Sequence, residues 1–199
     1  MRYQFHLFLS YILFVTVFVT VAWKVQHKNK KLLSSLRDFE MEDSYLSVSI
    51  ENLYSIIKIL TEINPPRSYA HPESLDRIAS FISKKFIGYG YRPLEQPFAF
   101  KGQTYQNIIA SIGPDNAPRI VIGAHYDVCG EQPGADDNAS GVAGLLELAR
   151  LLATGGNPLQ CRIDLAAYTL EEPPASFTQF MGSYVHALSL KMSGTLVKG

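Results

Sequence analysis

This chain of 199 residues has little cysteine, no surplus charge of either sign, and no internal repeat or low-complexity segment. The two cysteines, Cys129 and Cys161, do not form a CxxC, so no disulfide framework follows and either redox compartment fits. Lys and Arg number 18, balanced by 18 Asp and Glu, and no basic run is interleaved with base-stacking aromatics. These absences speak against a nucleic-acid partner. Nothing in the composition sets an oligomeric state. What is present is a chain 47% hydrophobic and 18% charged, enough for one domain with a real core plus an appendage.

The appendage is N-terminal. Tyr3 to Trp23 contains no Asp, Glu, Lys or Arg. As a helix it would span about 30 Å, the hydrocarbon thickness of a bilayer. Tyr3 and Trp23 sit where interfacial aromatics belong. A single-pass anchor is therefore expected over residues 1–27. The rival reading is a cleavable signal peptide with Thr20-Val-Ala22 as its site. Lys24, Lys28, Lys30, Lys31 and Arg37 follow the apolar run, which by the positive-inside rule places the bulk of the chain in the cytoplasm. No other feature votes on the side, which stays open.

Residues 28–62 read as a helical stalk and first helix, with Leu32, Leu36, Phe39, Leu46, Ile50, Leu53, Ile57 and Leu60 along one stripe. Asp43 on that stripe argues against a coiled-coil dimer. Asn64-Pro65-Pro66-Arg67 breaks the chain. From 63 to 199 an α/β domain is expected. A helix opens at Pro72 with Leu75, Ile78, Ala79, Ile82 and Phe86 buried, and ends at Gly88 and Gly90. Strands at Tyr91–Phe100 and Tyr105–Ile112 form a hairpin. The β-branched run Ile120-Val-Ile122 predicts a strand buried on both faces and ending at His125. A helix with Val142, Leu145, Leu146, Leu148, Ala149 and Leu152 follows, then a strand over Cys161–Leu170 and a helix from Gly182 to about Leu190. This order implies a mixed, mainly parallel sheet with helices on both faces.

Three acidic groups coincide at one edge of that sheet. His125 and Asp127 end one strand, Asp136-Asp137-Asn138 opens the next helix, and Glu171-Glu172 ends the following strand. Taken singly, each has an ordinary explanation as a structural histidine, a helix cap or an exposed pair. Their coincidence is better explained by a metal, since zinc accepts imidazole nitrogen and carboxylate oxygen. A carboxylate can bridge two metals, and Asp127 can orient the His125 ring from the outer shell. Adjacent Glu171 and Glu172 point to different sides, so one can ligate while the other acts as general base.

His125-Tyr-Asp127, Gly134-Ala-Asp-Asp137-Asn-Ala-Ser-Gly141 and Glu171-Glu172 together resemble the signature of metallopeptidase family 28, the co-catalytic di-zinc aminopeptidases. That family also contains glutamate carboxypeptidases and single-zinc glutaminyl cyclases. The resemblance begins near Pro65-Pro66-Arg67, takes in Tyr105-Gln-Asn107, and runs to about Gly182-Ser183. It implies a three-layer zinc-peptidase fold over residues 63–199. It further implies two zinc ions, with His125 on one, Glu172 on the other and Asp137 bridging; Glu171 is the general base, Asp127 supports His125, and Asp136 is structural. The expected reaction is peptide hydrolysis on a peptide substrate, with aminopeptidase activity foremost. The family takes one further carboxylate and one further histidine from later strands, and His186 lies too early to be that histidine. The expectation is therefore a C-terminally truncated catalytic domain with an incomplete ligand set, weak zinc binding and little activity. Pro173-Pro174 also departs from the family's usual Glu-Glu-Leu-Gly. The alternatives are a non-catalytic, membrane-anchored homologue and acyl transfer of the glutaminyl cyclase type.

Overall fold

Ser49 opens the first helix by accepting the Asn52 N–H on its hydroxyl at 3.1 Å, which caps α1 (Ile50–Thr61). The computed structural model describes residues 47–155 and 158–198. The expected anchor and the stalk up to Leu46 lie outside the described residues. Among those described, no helix is long and apolar enough to cross a membrane. Residues from Val48 onward form one compact unit. Helix α1 corrects the sequence stripe in one respect, because Ile50 is 80% exposed while Ile56 and Leu60 are buried. The cap starts the helix at Ile50, and the buried face is set by Ile56 and Leu60, flanked by Leu53 and Ile57.

Helix α2 (Pro72–Gly88) follows the expected pattern, with proline in its first turn and Leu75, Ile78, Ala79, Ile82 and Phe86 buried. The hairpin β1 (Leu94–Phe100) and β2 (Gln103–Ile112) turns at Lys101 (φ 48°) and Gly102 (φ 80°). A two-residue loop with both central φ values positive matches the twist of the strands it joins. Tyr91 lies outside β1 and instead donates its hydroxyl to the Ala149 carbonyl at 2.8 Å. Strand β3 (Arg119–His125), helix α3 (Ser140–Thr154), strand β4 (Arg162–Tyr168) and helix α4 (Gly182–Met192) complete the described chain.

The strand order is β1-β2-β4-β3. Both β1/β2 and β2/β4 are antiparallel, and only β3/β4 is parallel. Among the described residues the sheet is therefore mixed but not mainly parallel. The short hairpin forces β2 antiparallel to β1, and only the crossover through α3 has the length to bring β4 parallel to β3. Strand β3 is also less buried than its composition predicts, for Ile120 is exposed and Val121 and Ile122 are half-buried. It has β4 on one side; on the other, the isolated bridge is at Arg119, whose N–H donates to Leu196 and whose carbonyl accepts from Lys198, each at 2.8 Å.

Helices cover both faces. Ile108 and Ala110 of β2 and Leu165 and Ala167 of β4 join the buried side chains of α1, α2 and α3 in one core. The opposite face meets α4 through polar contacts, with Asn107 Nδ2 donating to the Gly182 carbonyl and the Tyr168 hydroxyl 2.9 Å from His186 Nδ1. The core thus fixes β3 and β4 side by side with their carboxyl ends aligned at His125 and Tyr168.

Candidate metal centre

Three segments converge where β3 and β4 end. His125 is the last residue of β3, and its Nε2 lies 3.0 Å from Asp137 Oδ1. Asp137 sits in the turn Ala135–Ala139 with non-helical dihedrals (φ −112°, ψ 90°), and its peptide bond to Asn138 is cis. Asn138 then accepts the Gly141 N–H on Oδ1 at 3.0 Å, satisfying one of the unpaired donors at the start of α3. Glu172 arrives from the end of β4. One ligand atom from each of His125, Asp137 and Glu172 lies within 4.8 Å of the others.

Asp127 ties these arms together from behind. It is 1% exposed. Its Oδ1 accepts the Glu171 N–H at 3.3 Å and its Oδ2 the Glu172 N–H at 3.0 Å. The Nδ1 of His125 faces it, 3.3 Å from the Asp127 carbonyl oxygen and 3.5 Å from Oδ1. The ring is thereby oriented with Nε2 toward the acids, the usual arrangement for a metal-ligating histidine backed by a carboxylate. The Glu171 carboxylate is held by Ser183. Its Oε1 accepts the Ser183 N–H at 2.7 Å and its Oε2 the Ser183 hydroxyl at 2.8 Å, so it rests against the first turn of α4.

The electrostatics of the cluster are those of acids held close together. Burial raises the Glu172 pKa, and the charges of Asp137 and Asp127 raise it further, against the lowering effect of His125. For His125, burial acts to lower the pKa, but the hydrogen bond and charge of Asp127, with the charges of Asp137 and Glu172, outweigh it and the net direction is up. One imidazole nitrogen and two carboxylates, with the carboxylates repelling each other, form a donor set that a divalent cation fits. The same donors suit zinc by chemical type.

Of the residues that the sequence singles out, His125, Asp137 and Glu172 offer ligand atoms within 4.8 Å of one another, Asp127 contacts His125 and the main chain of Glu171 and Glu172, and the Glu171 carboxylate contacts Ser183. Asp136 stays outside, its main-chain carbonyl accepting the Ser140 hydroxyl. His186 is buried on α4 against Tyr168, and burial lowers its pKa. A cavity of about 960 Å3, lined by His186, Arg119 and Arg162 among others, opens at the amino ends of β3 and β4 and includes none of the five. Two neighbours of the site are hard to find from sequence. Ser183 is legible only as the end of a motif, and Arg67 only as part of a proline break. A charged residue directly behind two prolines and ahead of an apolar helix is the one available signal for Arg67. The Arg67 side chain is buried, which lowers its pKa to about 10 against the opposing charges of Asp127 and Asp137.

A mixed α/β sheet that gathers an imidazole and carboxylates at the carboxyl ends of adjacent parallel strands defines a class of open-sheet protein with its site at the strand ends. Residues 107–191 match Peptidase family M28, and the likeness of this chain to that family is carried by this segment. It is 44% identical over 151 residues to the uncharacterized protein YfbL of Escherichia coli (strain K12), covering 72% of this chain and 46% of YfbL. It is 44% identical over 77 residues to the aminopeptidase YwaD of Bacillus subtilis (strain 168), covering 37% of this chain and 16% of YwaD. The fold is similar to that of the Legionella pneumophila LapA aminopeptidase, with a TM-score of 0.66 and 24% identity over 80% of this chain and 44% of that one. It is also similar to a Fimbriiglobus ruber glutaminyl cyclase, with a TM-score of 0.64 and 22% identity over 76% of this chain and 60% of that one. The chain thus spans less than half the length of YfbL and a smaller share of YwaD.

Proposed function

We propose that this chain contributes the substrate-facing acids and zinc ligands of a peptidase, with aminopeptidase activity foremost. The observation that carries the reading is the division of labour between two adjacent acids, Glu172 grouped with His125 and Asp137, and Glu171 held through both oxygens by Ser183. His125 Nε2, Asp137 and Glu172 would hold zinc. Their ligand atoms all lie within 4.8 Å of one another, and a carboxylate such as that of Asp137 would be able to serve two ions. When bound, zinc supplies Lewis-acid polarisation of the scissile carbonyl. Glu171, fixed on both oxygens, takes the proton of the attacking water and returns it to the leaving amine. Asp127 holds the His125 ring and the main chain of both glutamates in place. The aminopeptidase preference is supported by the likeness to YwaD. Attachment to a membrane is proposed on the apolar run Tyr3–Trp23 alone.

A second reading is acyl transfer of the glutaminyl cyclase type, favoured by the fold likeness to the Fimbriiglobus ruber enzyme. The three donors grouped among the described residues leave two zincs short of protein ligands, so uptake is expected to be weak and the assay is run at saturating zinc. Leucine anilide hydrolysis that falls at least a thousandfold in Glu171→Gln, with zinc uptake retained, supports the peptidase. Ammonia release from glutaminyl peptides without anilide hydrolysis transfers the site to the cyclase reading. Zinc uptake with neither activity leaves a non-catalytic homologue.

A further inference from the structure

We propose that Arg67 is the positioning residue of the nest, holding with one buried guanidinium and its own main chain the two arms that carry the metal-ligating side chains. The purpose assigned to it rests on the metal reading, whereas its geometry does not. Arg67 is 1% exposed. Its Nη1 donates to the Leu60 carbonyl at 2.7 Å and the Pro133 carbonyl at 2.5 Å, and its Nη2 to the Gly134 carbonyl at 2.6 Å. Its own carbonyl accepts the Val128 N–H at 3.0 Å, beside the parallel bridge of Ser68 to Val128. Val128 directly follows Asp127, and Gly134 stands three residues before Asp137. One residue therefore touches the exit of the His125 arm with its backbone and the entry of the Asp137 arm with its side chain.

Gly134 shows how tightly the two arms are joined. Its carbonyl accepts the Ala139 N–H at 3.1 Å, closing the turn that presents Asp137, while the same oxygen accepts from Arg67. Its φ is +59°, a conformation that favours glycine, and a Cβ there would collide with the Val128 side chain and the Asp137 carbonyl and lie 2.8 Å from Arg67 Nη2. The His125 arm, the Asp137 turn and the guanidinium meet at that point. A planar guanidinium can address three carbonyls from one rigid plane, which the compact ammonium of lysine cannot. Its Nε is buried with no hydrogen-bond partner, an uncompensated donor. The cost is accepted at a position whose fork is aimed at the loop carbonyls. The positive charge also acts on Asp127 and Asp137, two of the acids that crowd together when no cation is bound.

The test uses the whole 199-residue chain in detergent micelles, comparing the parent with Arg67→Lys, which keeps charge and stem, and Arg67→Met. Hydrogen exchange without metal is expected to quicken at least tenfold at the amides of Val128 and Ala139 in both variants, with β2 and β4 at parental rates. Titration with cobalt(II) is expected to give at least tenfold weaker binding and an altered visible absorption band in both variants. Parental exchange across 128–141 in both variants overturns the proposal. Loosening that extends equally to β2 and β4 in both also overturns it, since that is the mark of a general stabilising residue. Should the parent take up no cobalt, the metal reading fails, and local exchange still decides whether Arg67 holds the two arms.

Discussion

Both carboxylate oxygens of Glu171 are engaged by a single residue, Ser183, through its N–H at 2.7 Å and its hydroxyl at 2.8 Å. Ser183 lies in the first turn of α4, where backbone N–H groups lack partners within the helix. The same acid that serves the proposed chemistry thus caps a helix, and the helix in return fixes its carboxylate.

Ser183→Ala removes the hydroxyl donor and keeps the N–H. Turnover is expected to fall by about tenfold with KM little changed, because a proton acceptor loosened by one charge-assisted hydrogen bond of about 1.5–3 kcal/mol loses alignment rather than substrate contact. Steady-state kinetics at saturating zinc read both constants. A change confined to KM would show that Ser183 touches substrate instead.

Asp127→Asn keeps size and burial but sets an amide nitrogen against one of two backbone N–H donors, those of Glu171 and Glu172. One donor is left facing a donor, at a cost of about 1–3 kcal/mol. Metal affinity is expected to fall by about 10–100-fold, the usual penalty for losing an outer partner of a ligating histidine. Denaturant unfolding and metal titration measure the two effects separately.

The Glu172 pKa is raised by burial, then by Asp137, so in the metal-free chain its ionisation costs stability. The sign follows from linkage: a folded-state pKa above the ordinary 4.5 gives stability that is present below 4.5 and lost as pH rises through the raised value. Raised His125 adds the same sign above its ordinary 6.5. Glu172→Gln should therefore unfold at a higher temperature than the parent at pH 8 in chelator, and show a smaller advantage at pH 4. Thermal scans across that range decide it, and a less stable Gln variant at pH 8 would contradict the crowding of acids in the nest.

Glu147 carries the opposite sign. Hydrogen bonds from Arg150 hold its pKa down to about 2, and those from the Ser49 N–H (2.7 Å) and Asn52 Nδ2 (2.6 Å) assist against burial. Its contribution is present above the ordinary 4.5 and is lost as pH falls toward 2, amounting to as much as about 3 kcal/mol. Urea unfolding between pH 6 and 2.5 should show this loss in the parent and a flatter profile in Glu147→Gln. The same substitution should speed amide exchange in the first turn of α1, which Glu147 clasps to α3.

Local signals suffice wherever one residue type has one physical meaning. The 3.6-residue spacing of Leu75, Ile78, Ala79, Ile82 and Phe86 places α2 within its observed bounds, and Lys101-Gly102 places the hairpin. Local signals fail where neighbours decide the outcome. Ile50 fits the stripe of its helix yet faces solvent, because Ser49 caps the helix at that point and Ile56 takes the buried position. Ile120, Val121 and Ile122 have the composition of a central strand, but their burial depends on strands beside them, and a run of β-branched residues does not encode how many it will have.

The identity and order of the acids, their place at strand ends, and the turn chemistry that sets Asp137 ahead of α3 were determined by sequence alone, since spacing and residue type act over a few residues. Tertiary structure decided that Glu172 enters the nest while Glu171 turns to Ser183, that Asp127 serves both glutamates as well as His125, and that Arg67 joins two distant loops. These depend on contacts between segments separated by 12 to 67 residues, such as Glu171 with Ser183 and Arg67 with Gly134. The packing of the core sets the distances between such segments, and no local pattern carries that information.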